Sequence, residues 1–121
     1  MEYTATTKYV HVSTRKVRLV ADAVRKLTPS AALAALSQMT KSAAIPISKT
    51  IASAIANAKQ KSVAQELLRF KTIEIMGGPS MKRWHAVSRG QAHAFKKRMT
   101  HIRIIVEDKA AKKGDTHGTK N

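Results

Sequence analysis

A chain of 121 residues is long enough for one compact core and too short for two, and the absence of cysteine excludes disulfides and thiolate metal sites. Lys and Arg number 23 against 7 Asp and Glu, a formal charge of +16, so the compact state repels itself unless a polyanion lies against it. Nucleic acid is the counter-charge this composition points to. A membrane-surface protein would need a cationic amphipathic helix bearing large apolar side chains, yet Phe70, Trp84 and Phe95 fall outside the helical stretches. The start Met1-Glu2-Tyr3-Thr4 has no basic-then-apolar leader and no apolar run is long enough to span a bilayer, so a soluble, unprocessed, cytoplasmic protein is expected.

Thr, Tyr and Val dominate from Tyr3 to Val12, which predicts a strand or extended arm stopped by Ser13, a residue able to cap a helix. From Thr14 to Lys26, Val17, Val20, Ala21, Val24 and Leu27 recur at helical spacing, with Arg15, Arg18, Arg25 and Lys26 expected on the opposite, positive side. Asp22 is expected to pair with Arg18 or Lys26 on this helix. Thr28-Pro29 reads as an N-cap followed by Pro at the first helical position, opening a second helix to about Met39 with Leu33, Leu36 and Met39 inward. Ile47, Ile51, Ile55 and Ala58 mark a third helix ending near Lys59, which either begins near Ile45 or is kinked at Pro46.

Leu68 to Met76 reads as a strand with Ile73 and Ile75 on one face and Thr72 and Glu74 on the other. Its expected partner runs through Ile102, Ile104 and Val106, alternating with Arg103, Ile105 and Glu107. The basic tail 109–121 carries nothing apolar larger than Ala and is expected to be disordered unless RNA orders it. Domain organisation is therefore expected to be one domain over 1–108 and a separate tail.

The most informative asymmetry is a stretch without a carboxylate. Between Glu74 and Glu107 there is none, while Lys82, Arg83, Arg89, Lys96, Lys97, Arg98 and Arg103 all fall inside. If the flanking strands pair antiparallel, the chain turns near Ser88-Arg89-Gly90, where Gly allows a positive φ. An arm from Met76 to Arg89 would reach about 40 Å at about 3.3 Å per residue, against a radius of gyration of about 14 Å for a domain of this size. So long a ribbon is marginal in water without a partner. Met81, Trp84, Val87, Phe95 and Met99 are too scattered for a core of their own. Trp84 and Phe95 suit stacking on unpaired bases, and Trp84 is equally suited to anchoring the base of the ribbon against the domain.

Four collinear blocks carry a resemblance: Ser13-Thr14-Arg15-Lys16-Val17-Arg18-Leu19-Val20-Ala21-Asp22, Ser53-Ala54-Ile55-Ala56-Asn57-Ala58, Gly78-Pro79-Ser80-Met81-Lys82-Arg83 and Lys97-Arg98-Met99-Thr100-His101-Ile102. In order and spacing they resemble the bacterial large-subunit ribosomal protein L twenty-two family, over roughly Val10 to Glu107. The resemblance implies an α+β fold: three helices on a small three-stranded antiparallel sheet, with a long protruding β-hairpin over about 76–102. It also implies a structural, non-enzymatic constituent of the cytoplasmic large ribosomal subunit that binds its RNA, supports assembly and lines the nascent-peptide exit tunnel with the hairpin. The implied partners are large-subunit ribosomal RNA, neighbouring ribosomal proteins including the L four family, and the nascent polypeptide, with no cofactor and no membrane.

The RNA-binding set so implied, together with the basic and aromatic residues read above, is Arg15, Lys16, Arg18, Arg25, Lys82, Arg83, Trp84, Arg89, Lys96, Lys97 and Arg98. The tip facing the tunnel is His85, Ala86, Val87, Ser88, Arg89, Gly90 and Gln91. Here the chain departs from the family pattern, with Ala86-Val87-Ser88 where Pro-Arg-Ala is typical and Gln91 where Arg is typical. Thr14 also stands where Pro commonly follows the capping Ser. The hairpin is thus basic along its arms and comparatively neutral at its end.

Rival readings explain less. His11, His85, His93, His101 and His117 are scattered, and although a turn at Arg89 would oppose His85 to His93, two imidazoles without a carboxylate or thiolate do not make a metal site. The acids are too dispersed for convergent acid–base chemistry, and His117-Gly118-Thr119 resembles a hydrolase fragment by chance. A DNA-binding helix-turn-helix from the first two helices lacks base-reading side chains, since Ala31 to Met39 offers only Ser37 and Gln38. A pure protein-interaction module does not account for the positive excess.

Overall fold

The computed structural model describes residues 1–108, so the expectation for the tail 109–121 lies outside the described residues. The chain runs β1 (Glu2–Val10), α1 (Thr14–Val24), α2 (Pro29–Ser37), α3 (Ala44–Lys59), β2 (Leu68–Gly77), β3 (Met81–Ala86), β4 (Ala92–Lys97) and β5 (Thr100–Asp108). No helix among these residues is long and apolar enough to cross a membrane.

Period-two patterning places the strands. Tyr3 and Ala5 of β1, Ile73 and Ile75 of β2, and Ile102, Ile104 and Val106 of β5 turn inward, and the three strands form one antiparallel sheet in the order β1-β5-β2. The most apolar strand sits in the centre, where both of its edges are paired. The helices cover one face of this sheet. Val17, Val20, Ala21 and Val24 of α1 meet Ala32 and Leu36 of α2 and Ile47, Ile51, Ala54, Ile55 and Ala58 of α3 in a single core with the inward strand residues. Burying each large aliphatic side chain there contributes about 1.5–3 kcal/mol.

The helix ends follow local chemistry. Thr28 caps α2, its Oγ1 accepting from the Ala31 N–H at 3.3 Å with Pro29 at the first helical position, and α2 stops at Ser37, two residues short of the expected Met39. α3 begins at Ala44, so Pro46 falls in the first turn, where no intrahelical N–H is lost; this settles start against kink. The α1 helix stops at Val24, and Leu27, expected inward, is 38% exposed because the chain has left the helix before reaching it.

Two buried threonines tie the layers together. Thr50 of α3 donates to its own helix at Pro46 O (2.8 Å) and accepts from Thr7 of β1 (2.8 Å). Thr100 of β5 donates to Val12 O (2.6 Å), and Thr14 Oγ1 lies 3.3 Å from it, fastening the start of α1 to the root of β5.

β3 and β4 form a second, two-stranded antiparallel sheet, with Met81 opposite Lys97 and Ala86 opposite Ala92. It continues the outer ladder. β2 and β5 pair as far as Gly77 opposite Thr100, the Gly78 N–H donates to Met99 O at 2.9 Å, and the register slips by one residue before Met81. A Cβ on Gly78 would come within 3.1 Å of the His101 ring and 3.3 Å of Met99 O, so glycine permits the close approach at this junction. The far end turns where expected, but Arg89 (φ 62°) joins Gly90 (φ 69°) in the left-handed region, the successive positive φ values of primed hairpin turns.

Candidate nucleic-acid interface

The charges of the fold segregate. Among the described residues the ion pairs are Glu2–Lys71, Glu74–Arg103 (3.6 Å), Glu107–Arg69 (3.0 Å) and Asp22–Arg25 (3.3 Å). The first three lie across strands of the three-stranded sheet, away from the helices. The Lys71 amine has its pKa raised, first by the hydrogen bond to Glu2 and then by that carboxylate's charge. None of these pairs involves Arg15, Lys16 or a residue of β3 and β4, so the start of α1 and the ribbon keep their positive charge without a carboxylate partner among the described residues.

Those two regions meet. Lys16 of α1 and Lys96, Lys97 and Arg98 at the root of the ribbon line one open pocket of about 360 Å³, together with His11, Ser13 and Ser42. Eighty residues separate Lys16 from Lys96 in the chain, and the Thr100–Val12 hydrogen bond holds the two segments side by side. Ser13 makes no side-chain cap bond and the first turn of α1 contains no acid, so the positive end of the helix dipole adds to the same field. Four cations around a concave surface with hydroxyls between them make a surface suited to phosphate oxygens. Sequence reasoning did not include His11, Ser13 or Ser42 in the set. Ser42 in particular joins only because the α2–α3 connection passes beside α1, which no local pattern reveals.

The four candidate cations of α1 and its C-terminal cap divide. Arg15 and Lys16 are exposed. Arg18 and Arg25, expected to point away on the positive side, instead donate to backbone carbonyls of β2, at Ile75 O (3.2 Å) and Ile73 O (2.8 Å). β2 is an edge strand with one unpaired row of carbonyls, and the guanidinium groups cover it. Asp22 pairs with Arg25 and not with Arg18 or Lys26, since Arg25 lies beyond the helix end and folds back.

Along the ribbon, Lys82, Arg83, Trp84, His85, Ala86, Val87, Ser88, Arg89, Gly90, Gln91, Lys96, Lys97 and Arg98 are all exposed. Paired strand residues share a side, so Lys82, Trp84, Ala86, Ala92, Ala94 and Lys96 form one face and Met81, Arg83, His85, His93, Phe95 and Lys97 the other. His85 does stand opposite His93, and its ring stacks on Phe95 at 4.0 Å between centroids. Trp84 is 67% exposed, which decides against its anchoring the ribbon to the domain.

With this geometry in view, the comparison with known proteins is direct. The family described as ribosomal protein L22p/L17e matches residues 5–107. The chain belongs to that family. It is similar to the large ribosomal subunit protein uL22 of Syntrophus aciditrophicus, 40% identical over 110 residues that cover 90% of this chain and all of that one. The protein of the same name from Chloroflexus aggregans is 42% identical over 111 residues, covering 91% and 98% of the two chains. That of Mycoplasma capricolum is 39% identical over 109 residues, covering 89% and 98%. Membership makes the chain a ribosomal protein and not an enzyme.

Proposed function

We propose that the chain is a structural constituent of the large ribosomal subunit in the bacterial cytoplasm, binding large-subunit ribosomal RNA with the pocket at the start of α1 and with both arms of the ribbon. The observation that carries this reading is the pocket itself, where Lys16, Lys96, Lys97 and Arg98 converge from opposite ends of the chain with no carboxylate in the lining. Residues 1–108 act as one domain from which the ribbon, about 76–102 with its roots, protrudes as a long hairpin, and the tail 109–121 is an accessory basic segment. Phosphate contacts of the pocket and arms supply affinity, and the order of the ribbon and of the RNA around it is gained together, which supports subunit assembly.

The ribbon lines the nascent-peptide exit tunnel. Its end, His85 to Gln91, carries one cation, Arg89, among neutral side chains, and that suits a surface facing a peptide and a neighbouring protein of the L four family better than one facing phosphate. Arg15, Lys16, Lys82, Arg83, Arg89, Lys96, Lys97 and Arg98 are the RNA-binding residues on this reading; Arg18 and Arg25 hold the β2 edge first and reach RNA only with their remaining donors.

The test is the salt dependence of binding to a large-subunit RNA fragment. Replacing Lys96, Lys97 and Arg98 together by Glu is expected to weaken binding and to flatten the slope of log K against log salt by about one unit for each phosphate no longer neutralised. An unchanged slope, or tighter binding to duplex DNA than to the RNA, would refute the proposal.

A further inference from the structure

One face of the ribbon is built differently from the other. On the face that includes His85, the large rings satisfy each other, His85 lying flat on Phe95. On the opposite face Trp84 stands alone. Among the described residues the ring contacts are His85–Phe95 and Tyr9–His101, and neither involves the indole. Its cross-strand partner is Ala94, and Ala86 and Ala92 are the next pair toward the tip, so nothing larger than a methyl group rises beside it on that side. The result is a flat apolar shelf about one aromatic ring wide.

The other end of the shelf is closed by charge. Lys82 and Lys96 stand directly opposite each other on this same face. Like charges so paired destabilise a ladder unless an anion lies between them. Lys96 also lines the basic pocket at the root of the ribbon, so cations run without interruption from the pocket to the shelf. A base has a π face of the size of the indole and is joined to a phosphate a few ångströms away; a peptide offers the first of these and not the second.

We infer that this face is a site for one unpaired RNA nucleotide, its base stacked on Trp84 and its phosphate held between Lys82 and Lys96. The site rests on the RNA-binding reading above and narrows it, since phosphate neutralisation alone is indifferent to bases whereas stacking on an aromatic side chain requires a base splayed out of a helix. It also explains why the neutral end of the shelf faces the tip: the alanines leave the ring accessible from the side on which the strand of RNA would leave.

Trp84 is the single tryptophan of the chain, so its emission reports on the site without labelling. The experiment titrates the full chain with a short single-stranded oligoadenylate and with an abasic analogue of the same length and charge. Quenching by the oligoadenylate and weak or absent quenching by the analogue is the expected result. Measured by the anisotropy of an end-labelled oligoadenylate, since these variants contain no tryptophan, Trp84→Ala is expected to lower affinity about tenfold, the weight of one stacked base, with Trp84→Phe recovering most of it. Circular dichroism checks that each variant keeps the fold, which an exposed position on a separate ribbon allows. Salt-dependent binding of both oligomers with no difference in Trp84 emission would overturn the nucleotide site and leave the RNA-binding reading standing. Quenching by an uncharged apolar peptide and not by oligoadenylate would overturn it in favour of a protein-facing surface. No salt-dependent binding of either oligomer or of the large-subunit fragment would overturn both readings.

Discussion

Arg25 shows how one side chain is divided between fold and function. Its guanidinium reaches Ile73 O at 2.8 Å and Asp22 at 3.3 Å, so most of its fork is used inside the protein. Arg25→Gln is expected to destabilise the fold by on the order of 1 kcal/mol, because a half-exposed charged hydrogen bond is lost from the β2 edge. Its effect on the salt slope of RNA binding is expected to be small. Equilibrium urea unfolding and the binding assay separate the two, and a slope reduced by a full unit with unchanged stability would reverse the assignment. Lys71 is a different case. Its pKa is raised by Glu2, so the amine's side of the pair is fully charged below the usual lysine range and is lost as pH rises beyond it. Across neutral pH it is constant.

The ribbon is the element on which most of the function is proposed to rest and the one that contributes least to the core. Among the residues of β3 and β4 only Met81 and Phe95 are even partly buried, whereas the core is made by the helices and the three-stranded sheet. Deleting Lys82–Arg98 is therefore expected to leave cooperative thermal unfolding intact, with Met99 and Thr100 retained to hold β5 against Val12 and α1. Loss of the cooperative transition in calorimetry would show that the ribbon stabilises the core after all. The deletion removes the Lys96–Arg98 side of the pocket, so the same variant should bind RNA weakly while remaining folded.

At the scale of the molecule, the charge distribution is the organising fact. Glu2, Glu74 and Glu107 neutralise cations on the outer face of the sheet, whereas the cations of the ribbon and of the pocket it shares with α1 have no carboxylate beside them. A compact body with a net charge of +16 repels itself. The thermal midpoint of the free protein is expected to rise with added salt, which screens that repulsion, over the same range in which RNA affinity falls. A midpoint that is flat or falling would mean that the surface charges are too far apart to matter. The partner and the salt then act on the fold in the same sense, each supplying negative charge.

Much of this was legible along the chain. Net charge, the carboxylate-free stretch, the inward faces of all three helices and of β2 and β5, and the turn at Arg89-Gly90 are properties of residues close in sequence, and periodicity and turn chemistry report them directly. The reach of the patterns ended where segments distant in sequence meet. That Lys16 and Lys96–Arg98 share a pocket with Ser42, that Arg18 and Arg25 spend their donors on the open edge of β2, and that Phe95 stacks on His85 while Trp84 meets no ring among the described residues are outcomes of how the layers stack and how the ribbon leaves the sheet. A period of 3.6 or 2 states which side of its own element a residue occupies. Which other element comes to face it is set by core packing and strand register, and those exist only once the whole chain has folded.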